Sequence, residues 1–200
     1  MRVVTFLSIA LLAVGIAVVQ AKPVPELRVF AGAYVPTGDQ ADLLESSMMI
    51  GTQIGIEAAN MVHLIGTFAY ATPEAKRPGV GRDVHVYQYD AGAEIFRVIS
   101  ASRENGHWTL RPFLGAGLGA RTYDFHDVDS GSETNFLGYA SLGTELQHKN
   151  IALRIEARDY LSRFSGLPVG RHGEHSLMDD DDDTTTRNDL TFGGGLSLHF

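Results

Sequence analysis

Apolar residues alternate with small or polar residues along most of this chain, and the alternation is clearest in residues 190–200. One parity there carries the apolar residues Leu190, Phe192, Leu196, Leu198 and Phe200. The other parity carries only Thr, Gly, Ser and His side chains. Because successive side chains of a β-strand point to opposite faces, this period of two predicts a strand between two different environments.

Seven further segments show the same period, so the chain has eight predicted strands. They are residues 27–35, 48–57, 62–70, 84–96, 108–123, 135–146 and 151–161. In residues 62–70 the pattern does not distinguish the two faces. A tilted strand needs about 9 to 11 residues to cross a bilayer, and many of these segments are that long. An even number of such strands is what a closed antiparallel membrane barrel requires.

The connections between these segments alternate between long and short. The long ones collect the Pro, Gly and Asp residues, whereas Asn105-Gly106 is the strongest signal for a tight hairpin. Outer-membrane barrels show this rhythm, with short periplasmic turns and longer outward loops. We therefore predict an all-β fold, an eight-stranded antiparallel up-and-down transmembrane β-barrel.

The two faces of the predicted strands differ in charge. One face carries Arg28, Gln53, Glu57, Asp90, Glu94, Arg111, Arg121, Glu145, Arg154, Glu156 and Arg158. A basic side chain at the bilayer midplane costs about 2 to 4 kcal/mol, so this face must line the lumen. Eight strands leave a lumen that side chains can fill. We expect an ion-paired plug, with room for large charged side chains provided by Gly51, Gly55, Gly92, Gly115, Gly117, Gly119, Gly193 and Gly195.

The N-terminus carries an export signal. Arg2 precedes an uncharged, mostly apolar run, and Val19 and Ala21 are small residues at the two positions that signal peptidase reads. This predicts a cleavable signal peptide, residues 1–21, before a barrel domain, residues 22–200; the alternative is an uncleaved anchor. Without Arg2 the chain has 15 basic and 24 acidic residues, which argues against nucleic acid as a partner. With no cysteine, the exported chain has no disulfides to stabilise it.

The run Leu-Arg-Pro-Phe-Leu-Gly-Ala-Gly-Leu-Gly at residues 110–119, the Gly-rich last strand and the terminal Phe200 carry a family likeness. Together they resemble the small eight-stranded outer-membrane barrels of Gram-negative bacteria, the group that includes the membrane domain of outer membrane protein A. The resemblance covers essentially residues 22–200. The individual motifs are loose, and their arrangement is the specific part.

The resemblance implies partners and site residues. In that family the barrel assembly machinery reads a Gly, a hydrophobic residue and a final aromatic, which correspond here to Gly195, Leu198 and Phe200. Periplasmic chaperones would accompany biogenesis, and outer-membrane lipid and lipopolysaccharide would surround the barrel. Pairs of acidic and basic side chains inside the lumen are also common in that family. The candidates for them are Glu57, Glu94, Arg121, Glu145, Arg154, Glu156 and Arg158.

Aromatic residues near the ends of the predicted strands suggest two interfacial belts. The loop-side set is Tyr34, Tyr70, Tyr123, Phe125, Phe136, Tyr160 and Phe164. The turn-side set is Trp108 and Phe200.

Three motifs have an ordinary reading beside a chemical one. The glycines of residues 115–119 lack the spacing of a dinucleotide loop and precede no helix, so lumen packing explains them better. Residues 127–133 resemble a calcium loop, but Gly138 stands where its Glu is required. The run Asp179, Asp180, Asp181, Asp182 and Asp183 is either a solvated acidic loop or a divalent-cation site beside lipopolysaccharide phosphates. We expect no cofactor.

Enzymatic activity is not expected. His126 and His175 have Ser and acidic neighbours, but both lie in predicted loops without rigid positioning. The predicted function is an integral outer-membrane barrel with a structural or surface-interaction role. The alternatives are a soluble periplasmic barrel that binds a small apolar ligand, a narrow passive pore and a lipid A-modifying enzyme.

Overall fold

The computed structural model describes residues 25–76, 84–103, 106–125, 132–164 and 185–200. Its strands are β1 (Pro25–Pro36), β2 (Ser47–Ala59), β3 (Val62–Ala71), β4 (Val84–Phe96), β5 (Ile99–Arg103), β6 (Gly106–Phe125), β7 (Ser132–His148), β8 (Ile151–Phe164) and β9 (Thr185–His199). A short 3-10 helix, Gly38–Asp42, lies between β1 and β2. Within these residues no helix is long and apolar enough to cross a membrane.

Eight of these strands form a closed antiparallel barrel. The order is β4-β3-β2-β1-β9-β8-β7-β6, and β4 pairs with β6 to complete the ring. The first and last strands meet from Glu26↔His199 to Pro36↔Asp189. The all-β, eight-stranded antiparallel prediction is therefore confirmed. We call the end with the connections after β2 and β7 the turn end, and the opposite end the loop end.

The connection between β4 and β6 contains a short strand, β5, that the sequence pattern did not predict. Phe96 pairs with Phe113 and Ile99 with Leu110 in one continuous register, so β5 extends the hairpin beyond the barrel. The ladder is interrupted opposite Pro112, which has no N–H to donate, although its carbonyl accepts from Arg97 at 2.9 Å. Arg103 pairs with Gly106, which leaves two residues between β5 and β6, so the tight hairpin predicted at Asn105-Gly106 is confirmed, with Gly106 as the first residue of β6.

Apolar side chains cover the outer wall. Leu114 and Leu118 of β6 are 67% and 66% exposed. Other exposed residues of this wall are Val29, Ile50, Ile54, Ile95, Leu142, Leu153, Ile155, Phe192, Leu196 and Leu198. The ambiguous strand β3 turns His63, Ile65 and Thr67 inward. The sequence pattern does not distinguish the two faces of β3, because the apolar Ile65 faces the lumen while Gly66 faces outward.

Aromatic rings fill much of the space beside the lumen glycines. A Cβ at Gly117 would overlap the Tyr139 ring, and one at Gly51 would overlap the ring of Phe30. Other lumen glycines lie beside charged side chains, and Gly55 lies beside Glu26. The prediction that these glycines accommodate charged side chains is therefore incomplete, because aromatic rings need the space as well.

The predicted loop-side aromatic belt is partly wrong. Tyr34, Tyr123 and Tyr160 are buried inside the barrel, because they share the inward parity of their strands. Phe136 does lie on the outer wall and is 85% exposed. At the turn end, Trp108 stacks on His148 with ring centroids 4.6 Å apart.

Several predicted features lie outside the described residues. They are the signal peptide, residues 1–21, the calcium-like side chains of residues 127–131, the run Asp179–Asp183, and His126 and His175.

Candidate functional site

A continuous set of buried charges fills the lumen. We call it the lumen charge network. Its arginines are Arg28, Arg111, Arg121, Arg154 and Arg158. Its carboxylates are Glu26, Asp90, Glu94, Glu145, Glu156 and Asp189. Strand parity brings them together, because every one of these residues lies on the face opposite the apolar wall.

Glu94 is the centre of the network. It is completely buried, and its two oxygens accept hydrogen bonds from Arg28 at 3.0 Å and from Arg154. Arg28 also donates to both oxygens of Glu26 and, at 3.2 Å, to Gln53. One carboxylate on β4 thereby links β1 with β8 across the lumen.

A second group lies nearer the loop end. Arg154 donates to Glu156 at 3.0 Å, and Glu156 also accepts from Arg158. Arg158 donates onward to Asp90 at 3.0 Å and to Thr67 at 3.2 Å. The guanidinium of Arg158 also lies 4.8 Å from the centroid of an inward tyrosine ring, that of Tyr139. These bonds connect β8 with β3 and β4.

Arg121 occupies the loop-end part of the lumen. It is paired with Asp189 of β9, and it donates to Gln88 at 2.6 Å. The rings of Tyr34 and Tyr160 lie 5.0 and 5.1 Å from its guanidinium. The inward tyrosines therefore serve as partners of a buried cation.

Arg111 occupies the turn-end part of the lumen. It donates to Glu145 at 3.1 Å, and its other terminal nitrogen lies 3.1 Å from His63 Nε2. Because arginine can only donate, His63 Nε2 must accept in this arrangement. A vestibule of about 340 Å³ opens beside these residues at the turn end.

The structure places six of the seven predicted charge candidates in the network: Glu94, Arg121, Glu145, Arg154, Glu156 and Arg158. The seventh, Glu57, is half-buried and lines the vestibule instead. Its position near the end of β2, beside the register shift between Glu57 and Ala59, keeps it at the rim.

Five network residues are not among the seven candidates: Glu26, Arg28, Asp90, Arg111 and Asp189. Arg28, Asp90 and Arg111 belong to the predicted charged face but not to the predicted pairs. Glu26 and Asp189 were missed because the predicted strands began one residue later than β1's and β9's inward acids. Both would have been found if the first and the last predicted strand had each been extended by one residue at its N-terminal end.

Each residue of the predicted assembly signal lies in or beside β9. Gly195 faces inward and pairs with Phe30, while Leu198 is exposed on the outer wall opposite Leu27. Phe200 is exposed at the turn end, and its N–H donates to the Pro25 carbonyl at 3.2 Å.

No protein-family model and no curated protein matches this sequence. The structure is similar to that of Neisserial surface protein A (NspA), with a TM-score of 0.55 and 15% identity over 88% of this chain and 97% of that one. The chain has the fold of a small outer-membrane β-barrel. Weaker similarity is found to Ail of Yersinia pestis (TM-score 0.46, 17% identity, 89% of this chain and 98% of that one) and to the outer membrane enzyme PagL (TM-score 0.40, 13% identity, 86% and 98%).

Glu94→Gln is expected to destabilise the barrel by about 3 to 5 kcal/mol, because it leaves Arg28 and Arg154 without their shared anion in a buried site. The measurement is the free energy of unfolding in urea, followed by tryptophan fluorescence of the detergent-folded protein.

Glu57→Gln is the matched control, since Glu57 lies at the rim and should change stability by less than about 1 kcal/mol. Equal effects of the two substitutions would contradict the central position of Glu94.

Proposed function

We propose that this chain is an integral outer-membrane protein whose barrel holds outward loops in place, with a structural or surface-interaction role. The observation that supports this most strongly is the inverted polarity of the barrel. Large apolar side chains cover its exposed wall, while the arginines and carboxylates are inside. A protein in water buries apolar groups and exposes charges, so this arrangement favours hydrocarbon as the solvent of the wall.

A soluble barrel with a small apolar ligand is disfavoured by the same polarity. Its ligand cup would need an apolar inner face, but the inner face is crossed by pairs such as Arg28–Glu94 and Arg158–Asp90. The exposed wall would also be a large apolar patch in water, which promotes aggregation.

A plugged lumen is favoured over a passive pore. Ion pairs such as Arg28–Glu94 and Arg158–Asp90 cross the barrel at more than one level. Hydrated ions would have to break buried pairs to pass.

A non-enzymatic role is the simpler proposal for three of the described histidines. His63 faces Arg111, His85 shares a hydrogen bond with Tyr70, and His148 stacks on Trp108. These contacts are structural in character. The loop histidines of the enzyme alternative lie outside the described residues.

The proposed partners follow from the surfaces. Outer-membrane lipid and lipopolysaccharide would contact the apolar wall, and the acidic outward loops would meet an external ligand. Periplasmic chaperones and the barrel assembly machinery would deliver the chain, with Gly195, Leu198 and Phe200 as the signal in the last strand. No nucleic acid is expected.

Leu118→Arg should weaken folding into lipid vesicles by about 2 to 4 kcal/mol, because it places a cation on the apolar wall. The measurement is the fraction of protein with the folded, heat-modifiable gel migration across a urea series. Met61→Arg is the control, since Met61 is exposed in the turn after β2 and should retain water around the new charge. Equal tolerance of both substitutions would argue for a soluble barrel.

The wild-type barrel should give no steady conductance in planar lipid bilayers, because the lumen charge network obstructs ions. Arg154→Ala combined with Glu94→Ala removes one level of pairs and is the comparison, with folding checked by gel migration. Reproducible single-channel steps from the wild-type protein would favour the pore alternative.

Deletion of Phe200 should reduce membrane insertion more than export, because it removes the terminal aromatic of the closing strand. Cell fractionation would show the truncated chain accumulating in the periplasm after signal cleavage. Phe200→Tyr, which keeps an aromatic residue at the terminus, serves as the control. Normal insertion of the truncated chain would exclude Phe200 as part of the signal.

A further inference from the structure

Three potential metal ligands from three strands meet at the turn end of the lumen. Glu26 of β1, Glu145 of β7 and His199 of β9 each offer a ligand atom, and these atoms lie within 4.8 Å of one another. His199 Nε2 is 3.4 Å from Glu145 Oε1 and 3.8 Å from Glu26 Oε1. Both carboxyl groups are almost completely buried, whereas the imidazole keeps slight exposure toward the vestibule.

Polar atoms at this place lack hydrogen-bond partners. They are His199 Nε2, Glu145 Oε2 and His63 Nδ1. The His63 side chain is 94% buried, and its Nδ1 points at the group from 3.3 Å away, beside Glu26 Oε2. Each of these atoms keeps only a long contact, of 3.3 to 3.7 Å, with a charged neighbour in the group, so the polar contacts of this site are incomplete.

We propose that Glu26, Glu145 and His199 bind one divalent transition-metal ion of the Zn²⁺ type. One imidazole nitrogen and two carboxylate oxygens are a donor set that Zn²⁺ accepts, with water in the remaining position. The vestibule supplies space for that water. His63 lies next to Glu26 and would orient this carboxylate from behind. The proposal does not depend on the membrane location of the barrel.

The neighbouring arginines leave lone pairs on the Glu26 and Glu145 carboxylates free for a metal ion. Arg28 donates one hydrogen bond to each oxygen of Glu26, and Arg111 donates one to Glu145 Oε1. A carboxylate has about four lone-pair sites, so both groups retain sites for a cation. Arg154 Nη1 is 3.7 Å from Glu145 Oε2, beyond hydrogen-bond distance. These cations limit the affinity without occupying the site.

The charge balance of the lumen favours a bound cation. Among the described residues, the network holds five arginines against six carboxylates, and Glu57 adds another acid at the vestibule. The site opens toward the turn end, where Glu57, Asn60 and Gln147 line the entrance. An ion would enter from that side without crossing the ion pairs above it.

The experiment is a calorimetric titration of Zn²⁺ into the untagged, detergent-folded barrel at neutral pH. We expect one site per chain that His199→Gln and Glu145→Gln each weaken at least tenfold. His148→Gln is the matched control, because His148 lies at the same end but on the outer wall against Trp108. Gel migration checks that each variant is folded.

A second measurement uses the wild-type protein alone, in case a variant fails to fold. Paramagnetic Co²⁺ should broaden or shift the ring signals of His199 in an NMR spectrum before those of His148 and His85. Zinc binding that is unchanged in both variants, equally weakened by His148→Gln, or accompanied by no selective Co²⁺ effect at His199 would overturn the proposal.

Discussion

The antiparallel pairing of β1 with β9 is the interaction on which the rest of the molecule depends. It joins the two ends of the described sheet from Glu26↔His199 to Pro36↔Asp189, and with the β4–β6 pair it leaves no open edge among the eight barrel strands. A spanning sheet must satisfy its backbone hydrogen bonds internally, and closure achieves this. Closure also sets a lumen of fixed width, so inward side chains have to fit one another.

The fixed lumen explains why charge and aromatic packing occur together. A buried guanidinium needs an anion and further hydrogen-bond partners, and Arg158 finds Asp90, Glu156 and Thr67 on three strands. Breaking such a pair is costlier than never having buried it. Phe30 and Tyr139 fill the remaining space over Gly51 and Gly117. The pairs consequently favour one register over its neighbours, since a slip by one residue would turn arginines toward the apolar wall.

The two ends of the barrel have different chemistry. At the loop end Arg121, Asp189 and Tyr34 fill the lumen. At the turn end the filling is incomplete, and an open vestibule leads to His199 and Glu145. A metal ion there would add a link among β1, β7 and β9, next to the seam where the barrel closes. The loop end would then serve external contacts, while the turn end contributes to holding the seam.

The sequence alone determined the number of barrel strands, the antiparallel barrel and the outward face of most strands, although not the short strand β5. The alternation of charged and apolar residues is a local property of each strand. It assigns Leu118 to the outer wall and Arg154 to the lumen without knowledge of which residues lie near them in space. It could not assign β3, where Ile65 and Gly66 reverse the expected polarity. The tertiary structure alone decided which charges meet, because Glu94 finds Arg28 and Arg154 through barrel closure and strand tilt. It also decided that Tyr34 and Tyr160 face Arg121, and that His199 lies between Glu26 and Glu145, since these neighbours are distant in sequence.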